Sequence, residues 1–441
     1  MARDTQNLLS KAIAFQNDGR FAEAEQSYRD ALAISPEHQG SRHNLAVLMA
    51  KRGDARGALP FFNQLIKVNP GYVSAHFNRA RALHSLGRRE EGLQGFNNVI
   101  NLDPDHYEAH RALGFLQLEA GDRALSLDHF ARTYEINRAG GHSKQSMDSL
   151  RTSSKYKLEH DANMFCHLSS RARDGHRFEM LSRRYNQVAR ELCAECVELS
   201  QPQLDMLGED YNTPIHLVDA PEITGGAVNP NVAWAQLDRQ LSDDRRSVVW
   251  ADELLTSAAV ASIQRILLES TVWHDFTHIN GFVASYLEDG LACPLVLQIA
   301  DEVRQLLPGL MAERHLTQAW AFKALCGDRP IALHADDAHL SLNFWLTPCI
   351  ANQCPDTGGL TIYRALPPDD WSVVEYNEDQ LRIREFVEQY RHSRMDIPYR
   401  QNRAVLFNSR LFHETHAPDF APGYHNHRVN ITMLFGNAVK L

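Results

Sequence analysis

A repeat with a period of 34 residues in the first third of the chain restricts the possible folds more than any other feature of the sequence. Four classes of residue recur with this period and stay in phase from unit to unit. They are the glycines Gly19, Gly53, Gly87 and Gly121, the prolines Pro36, Pro70 and Pro104, the aromatic residues Tyr28, Phe62, Phe96 and Phe130, and the small residues Ala12, Ala46, Ala80 and Gly114. This regularity predicts an array of helical repeats.

Each class of repeated residue has a structural reason. A glycine is needed where a helix ends in a left-handed conformation, and a small residue lets two helices cross closely. The aromatic residue fills the gap to the next pair, and the proline opens the following unit. The stretches Asn44-Leu-Ala46, Lys51-Arg-Gly-Asp54 and Asn69-Pro-Gly-Tyr72 resemble the tetratricopeptide repeat family. The resemblance covers residues 5–137 and implies an α-solenoid.

The concave face of such a solenoid commonly binds a peptide or a partner protein. We therefore expect residues 5–137 to recruit a protein or peptide, with stiffening or formation of a homodimer as the alternative. Residues 138–245 are predicted to form helices that cap the solenoid, followed by a linker. The linker prediction rests on the many Pro, Gly, Asn and Asp residues beyond residue 200.

The last predicted domain, residues 246–441, has a different pattern of apolar and polar residues. Apolar and polar side chains alternate in residues 340–347 and 428–435, which is typical of half-buried strands. Further strands are predicted at Ala319–Ala324, Ile331–His334, Leu360–Arg364 and Ala404–Phe407. Many short strands separated by turns favour a sandwich or jelly roll. The predicted fold class is therefore multidomain α + β, an α-solenoid followed by a jelly roll with support helices.

Candidate metal ligands lie at the ends of these predicted strands. His334 and Asp336 are two residues apart, so an extended backbone projects both side chains to the same side. A third ligand, His413, follows the strand predicted at residues 404–407. Two His and one carboxylate form the facial triad of non-haem Fe(II) oxygenases, which leaves positions open for a bidentate oxoacid and O₂. Arg428 begins the last strand on its polar face, and its guanidinium suits the distal carboxylate of the oxoacid.

Several stretches of this region resemble one family, the Fe(II)/2-oxoglutarate-dependent oxygenases with a double-stranded β-helix core. The resemblance extends over residues 247–438, and its helical beginning is similar to the support helices of prolyl-hydroxylase-like members. The matching stretches are His334-Ala-Asp336, Leu342–Pro348, Gly358-Gly-Leu360, Asn402–Ser409, Phe412-His-Glu-Thr415 and Arg428–Thr432.

The resemblance implies an enzyme that uses Fe(II), 2-oxoglutarate and O₂ to hydroxylate a C–H bond, with a protein or peptide as the expected substrate. The implied iron ligands are His334, Asp336 and His413, and the implied anchor for 2-oxoglutarate is Arg428. Asn343, Asn430 and Tyr363 are candidates for lining the 2-oxoglutarate pocket.

Alternatives remain open from the sequence. His416 lies three residues after His413 and is a second candidate for the third ligand. Arg403 or Lys323 are further candidates for contacting the oxoacid. At the level of function, the jelly roll could be a sensor or scaffold without turnover, or the same oxygenase chemistry could act on a small molecule while the repeats mediate dimerisation.

Composition excludes other classes of function. The chain carries 45 Lys and Arg against 55 Asp and Glu, a net charge of −10, so its charge opposes binding to the phosphates of a nucleic acid. No apolar run is long enough to cross a membrane. Seven cysteines spread over a long chain fit reduced thiols. With no apolar segment at the start of the chain, we expect a cytoplasmic location.

Overall fold

A computed structural model of the chain describes residues 2–138, 150–193, 196–277, 281–325 and 330–436. The chain forms two compact units, which divide after residue 116. The described residues before this point are helical, whereas those after it form both helices and sheets.

The first unit is an array of helices that follows the predicted repeat. Gly19, Gly53 and Gly87 end the first helix of their pairs with φ values of +74°, +93° and +75°, so a left-handed residue is required at each turn. The repeated small and aromatic side chains are buried, as predicted. The helices are α1 (Ala2–Asn17), α2 (Phe21–Ile34), α3 (Gln39–Lys51), α4 (Ala55–Val68), α5 (Val73–Ser85), α6 (Arg89–Leu102) and α7 (Tyr107–Ala120), the last of which crosses the division.

Ten further α-helices are described in the second unit. They are α8 (Arg123–Arg138), α9 (Lys155–Ser169), α10 (Gly175–Ala189), α11 (Gln201–Leu207), α12 (Trp234–Asp243), α13 (Ser257–Glu269), α14 (Pro294–Leu306), α15 (Pro308–Met311), α16 (Val373–Asn377) and α17 (Gln380–Glu388). Short 3₁₀ helices lie at Leu287–Asp289, Cys349–Ala351, Arg391–Ser393 and Tyr424–Asn426. No described helix is both long and apolar enough to cross a membrane.

Helices α8 and α9 belong to the second unit, although α8 still follows the repeat pattern. The hydroxyl of Tyr134 in α8 lies 2.6 Å from Nε2 of the buried His274. The hydroxyl of Tyr156 in α9 donates to the carbonyl of Phe276 at 2.9 Å. Helices α8 and α9 therefore pack against the same part of the chain that carries the sheets.

The strands are antiparallel and form three sheets. The strands are β1 (Thr152–Ser153), β2 (Val197–Glu198), β3 (Val248–Ala251), β4 (Phe282–Tyr286), β5 (His315–Ala324), β6 (Leu340–Trp345), β7 (Leu360–Tyr363), β8 (Arg394–Ile397), β9 (Ala404–Phe407), β10 (His413–Thr415) and β11 (Val429–Gly436). The largest sheet has the order β3-β9-β6-β11-β5-β4, a second has the order β10-β7-β8, and β1 pairs with β2. The strand predicted at Ile331–His334 is wrong, because only His334 pairs there, in an isolated bridge.

The six-stranded and three-stranded sheets share an apolar core. Trp345 and Phe407 of the larger sheet pack with Leu360, Ile362 and Ile397 of the smaller one. Within the described residues the two sheets remain separate and do not close into a barrel. The inner face of the larger sheet, which carries Trp345, therefore lies opposite β7 and β8.

Candidate metal centre

The backbone brings the three predicted ligands together at one end of the larger sheet. His334 and His413 pair in an antiparallel bridge, in which each amide donates to the carbonyl of the other at 3.0 and 2.8 Å. The amide of Asp336 donates to the carbonyl of Ser409 at 2.9 Å. Two segments that lie far apart in sequence, just before β6 and just after β9, are thus held side by side.

Alternation along these extended segments sets the direction of each side chain. Leu333, Ala335 and Phe412 are fully buried in an apolar cluster with Tyr376 of α16 and Ile383 of α17. Since neighbouring side chains in an extended chain point to opposite sides, His334, Asp336 and His413 point away from this cluster. Apolar burial of one side therefore directs the three polar side chains to the other.

The three side chains have the geometry of a metal site. One ligand atom from each lies within 4.8 Å of the others. Nε2 of His334 is 3.7 Å from Oδ1 of Asp336, and Nε2 of His413 is 3.6 Å from Oδ2. Nδ1 of His334 lies 2.8 Å from the carbonyl of Ala332, and Nδ1 of His413 lies 2.9 Å from that of Leu411. A protonated Nδ1 that donates to a carbonyl leaves the lone pair of Nε2 free for a metal.

The surroundings favour the metal-binding form of His413 and a fixed orientation of Asp336. Burial, and next the proximity of His334, lower the pKa of His413 to about 4, so its imidazole is neutral at physiological pH. The hydroxyl of Ser341 lies 3.4 Å from Oδ2 of Asp336 and 2.9 Å from the hydroxyl of Ser409. Ser341 contacts the carboxylate of Asp336 directly, and Ser409 holds the hydroxyl of Ser341 in place. A divalent cation fits the donor set of two imidazoles and one carboxylate.

A row of polar side chains leads from the triad along the inner face of the larger sheet. Ser341, Asn343 and Trp345 alternate with apolar residues on β6, and Thr432 of β11 pairs with Asn343. The hydroxyl of Thr432 donates to Oδ1 of Asn343 and accepts from Nδ2 of Asn430 at 3.3 Å. The row is enclosed, because all of its members are buried.

Arg428 ends this row. Its side chain is only 2% exposed; Nε donates to the carbonyl of Gly358 at 2.5 Å and Nη1 to Oδ1 of Asn430 at 2.8 Å. Its guanidinium lies 5.9 Å from the centre of the Trp345 ring. No carboxylate forms an ion pair with Arg428 among the residues that the structure describes. Burial lowers the pKa of Arg428 to about 10.

Of the three candidates for lining an oxoacid pocket, the structure brings two to this row. Asn343 and Asn430 lie between the triad and Arg428. Tyr363 does not, because Ile362 is the residue of β7 that pairs with His413, and the next residue faces the opposite side. Tyr363 packs instead against the apolar cluster on α16 and α17. We therefore leave Tyr363 out of the site.

The alternative candidates also lie elsewhere. His416 is three residues from His413 and so faces the other side of the strand, where Nε2 is 2.8 Å from Oγ1 of Thr361. Arg403 is paired with Asp252, with Nε 2.6 Å from Oδ1. Lys323 lies on the outer face of the sheet, where Nζ donates to the carbonyl of Leu267 of α13 at 3.2 Å.

Ser341, Ser409 and Thr432 take part in the site although the sequence analysis did not single them out. Ser341 and Thr432 carry a signal that could have identified them, because they share the polar face of β6 and β11 with the candidates Asn343 and Asn430. Ser409 carries no such signal, since it lies beyond the end of β9 and its role depends on a long-range contact.

Comparison with known proteins identifies the N-terminal part of the chain. The Tetratricopeptide repeat family matches residues 5–38 and 73–106. A search of curated proteins gives no significant match. The first unit has the tetratricopeptide fold that the sequence predicts, and repeats of this family commonly bind protein partners.

Solved structures with local similarity include other repeat proteins. MamA from Desulfovibrio magneticus RS-1 is 22% identical, with 32% of this chain and 78% of MamA covered and a TM-score of 0.30. The O-GlcNAc transferase of Thermobaculum terrenum is 27% identical, with 30% of this chain and 26% of that enzyme covered and a TM-score of 0.28. The first repeat domain of Spaghetti, bound to an HSP90 peptide, is 21% identical, with 27% of this chain and 96% of that domain covered and a TM-score of 0.27. By the family match, the N-terminal part of the chain carries tetratricopeptide repeats, and the second unit carries a cluster of two histidines and one aspartate.

Proposed function

We propose that the chain is an Fe(II)- and 2-oxoglutarate-dependent dioxygenase that hydroxylates a C–H bond of a protein or peptide. The observation that carries the proposal is a buried row of polar side chains with functional groups at both ends. His334, Asp336 and His413 lie at one end, and the buried Arg428, which has no acidic partner in the described part of the chain, lies at the other. A facial triad leaves adjacent coordination positions open for the oxoacid and O₂. In this proposal the two facing sheets are the core of a double-stranded β-helix.

The unpaired charge of Arg428 supports the choice of cosubstrate. A buried guanidinium without a carboxylate partner is unfavourable, and an incoming carboxylate relieves that cost with two parallel hydrogen bonds. 2-Oxoglutarate carries an oxoacid group for the metal at one end and a carboxylate for Arg428 at the other. Asn343, Asn430 and Thr432 line the path between the two ends and supply polar groups along it.

The residues of the chain have separate tasks in this chemistry. His334, Asp336 and His413 would hold the iron, the hydroxyl of Ser341 orients the carboxylate of Asp336, and Arg428 would fix the distal carboxylate. The chemistry supplied by Fe(II) and 2-oxoglutarate, when bound, would be activation of O₂, with one oxygen atom entering the substrate as a hydroxyl and the other entering succinate as CO₂ is released. The apolar wall that includes Phe407, whose ring centre lies 4.9 Å from that of His413, keeps water from the inner side of the site.

The repeats support a protein or peptide substrate. Asn44 and Asn78 lie one period apart on the first helices of two consecutive repeats, and Nδ2 of Asn78 is 3.3 Å from Nε2 of His43. The guanidinium of Arg81 lies 5.9 Å from the ring centre of Phe77 on the same helix. Amide, cationic and aromatic groups on the first helices of the repeats can bind the backbone and side chains of an extended peptide.

The direct test of the proposal is an anaerobic titration of the metal-free protein with Fe(II) and then with 2-oxoglutarate. We expect the weak visible charge-transfer band of a chelated oxoacid in the wild type. The band should vanish in His334→Ala and require a higher concentration of 2-oxoglutarate in Arg428→Gln. His176→Ala removes an exposed histidine and serves as the matched control, with an unchanged band.

Two outcomes would contradict parts of the proposal. If Fe(II) binds but 2-oxoglutarate never produces the band, the site is a different metal centre and the oxygenase assignment is wrong. If the band forms, mass spectrometry of a peptide library and of a pool of small metabolites decides the substrate class. Gain of one oxygen atom only in the metabolite pool would refute the peptide substrate while leaving the chemistry intact.

A further inference from the structure

A second polar cleft lies outside the row that leads to Arg428. It is formed where β5 and β6 begin and β9 ends, together with α12 and α15, and has a volume of about 240 Å³. We call it the arginine cleft. Its polar lining residues are Ser242, Asp244, Arg245, Ser247, Arg314, His339 and Asn408.

The arginine cleft brings the guanidinium groups of two arginines together. Among the described residues, neither Arg245 nor Arg314 forms an ion pair, and Nε of Arg314 is buried without a hydrogen-bond partner. Burial, and then the proximity of Arg245, lower the pKa of Arg314. Burial, and then the two arginines, lower the pKa of His339 to about 4. Like charges gathered around a desolvated donor are unfavourable unless an anion is bound between them.

The acidic groups near the cleft are already engaged. Oδ1 of Asp244 accepts from the amide of Arg246 at 2.8 Å, and Oδ2 pairs with the guanidinium of Arg364. The carboxylate of Asp238 caps α15, where it accepts from the amides of Gly309 and Leu310 at 2.8 and 3.0 Å. The two arginines are therefore not neutralised by these carboxylates.

We propose that the arginine cleft binds a tetrahedral dianion, either inorganic phosphate or the phosphate group of a small monoester. Arg245 and Arg314 offer two guanidinium groups, whose planar forks match the oxygens of a phosphate. The hydroxyls of Ser242 and Ser247 supply further donors at the same cleft. The volume corresponds to about eight water molecules, which leaves room for a phosphate and a few additional atoms. This proposal does not depend on the proposed function of the metal centre.

The test is a calorimetric titration of the full chain with sodium phosphate at constant ionic strength, maintained with sodium chloride. We expect saturable binding at one site. Arg245→Gln should weaken it at least tenfold, because a charged hydrogen bond to the anion is lost. Arg314→Lys, which keeps the charge but removes the buried Nε, should weaken it severalfold. Arg173→Gln removes an exposed arginine elsewhere in the second unit and should leave the affinity within twofold of the wild type.

Two further experiments determine where the phosphate binds and whether free or esterified phosphate binds more tightly. Arg428→Gln should bind phosphate like the wild type, which separates the arginine cleft from the oxoacid row. Competition between inorganic phosphate and glycerol phosphate should be mutual, and the tighter of the two identifies the physiological source as free or esterified. Absence of saturable phosphate binding in the wild type, or equal weakening by Arg245→Gln and Arg173→Gln, would overturn the proposal.

Discussion

A buried ion pair attaches α8 to the part of the second unit that carries the sheets. Arg138 and Asp289 are 8% and 6% exposed, and Nε of Arg138 donates to Oδ1 of Asp289 at 2.7 Å. A second contact joins Nη2 to Oδ2, and Nδ2 of Asn137 donates to the same carboxylate at 3.2 Å. Replacement of Asp289 by Ala leaves a buried guanidinium without its carboxylate, and we expect the free energy of unfolding of the second unit to fall by about 3–5 kcal/mol.

A double-mutant cycle separates the pair from the packing around it. Arg138→Met removes the charge but keeps most of the apolar length of the side chain, and Asp289→Asn keeps its shape. Each single substitution removes one charge of the pair and keeps the other buried, whereas the double variant removes both charges. We therefore expect the double variant to lose less stability than the sum of the single variants, with a coupling energy of about 1–3 kcal/mol.

Tryptophan fluorescence during urea unfolding measures the loss of stability in the second unit. All six tryptophans lie at residue 234 or beyond, so the signal comes from the second unit alone. Glu388→Ala breaks an exposed pair with Arg391, in which both side chains are more than two-thirds exposed, and should leave the midpoint unchanged. Equal midpoints for Asp289→Ala and Glu388→Ala, or strictly additive effects in the cycle, would refute the reasoning.

Three further predictions follow from other parts of the second unit. Ser341→Ala removes the hydroxyl that contacts the carboxylate of Asp336 and should weaken Fe(II) affinity about tenfold in an equilibrium titration. An unchanged affinity would show that this hydroxyl does not orient the carboxylate. In Gly359→Ala the new Cβ would lie 1.9 Å from the carbonyl oxygen of Ile397, so the melting temperature measured by circular dichroism should fall. An unchanged melting temperature would contradict the close approach of the two backbones next to β7 and β8. Burial lowers the pKa of His160 to about 3 and that of His274 well below its usual value, so both protonate only on unfolding. Together they should contribute about 2–3 kcal/mol to the loss of stability from pH 7.5 to 5.5, and the loss should shrink in His160→Gln.

Local patterns in the sequence predict much of the first unit and part of the site. The 34-residue period fixes helix ends and buried positions, because each repeat contacts mainly its neighbours. The metal cluster has a comparable local basis, since His334 and Asp336 share one side of an extended segment. The same alternation separates His413 from His416, which is an odd number of residues away.

Long-range contacts account for what the sequence does not predict. Lys323 lies on the outer face of β5, where Nζ is 3.2 Å from Nε2 of His160 in α9, a residue 163 positions earlier. Nothing near either residue in the sequence indicates this contact. For the same reason the sequence does not predict that α9 packs on the large sheet, or that Tyr363 faces α16 and α17 and not the row that leads to Arg428.

Lys323 and Arg428 are buried basic residues at adjacent strands. Nζ of Lys323 lies 4.2 and 4.5 Å from the ring centres of Trp273 and Tyr424 and donates to a carbonyl, yet burial lowers the pKa of Lys323 well below its usual value. Arg428 has two neutral acceptors and one aromatic ring, and no described acid. The lowered pKa of Arg428, about 10, corresponds to a cost of roughly 3 kcal/mol for keeping the charge in the folded protein.

That cost makes a prediction that separates a ligand anchor from a structural residue. Arg428→Gln removes the buried charge but still donates to the carbonyl of Gly358, so the free energy of unfolding of the ligand-free protein should stay equal or rise. With Fe(II) present, 2-oxoglutarate at 100 times its dissociation constant should stabilise the wild type by about 2.7 kcal/mol, and the variant by much less at the same concentration. Loss of stability in the ligand-free variant would instead assign Arg428 to the core. In that case the missing acid would be no evidence for an anionic ligand, because the guanidinium would be satisfied by the protein alone.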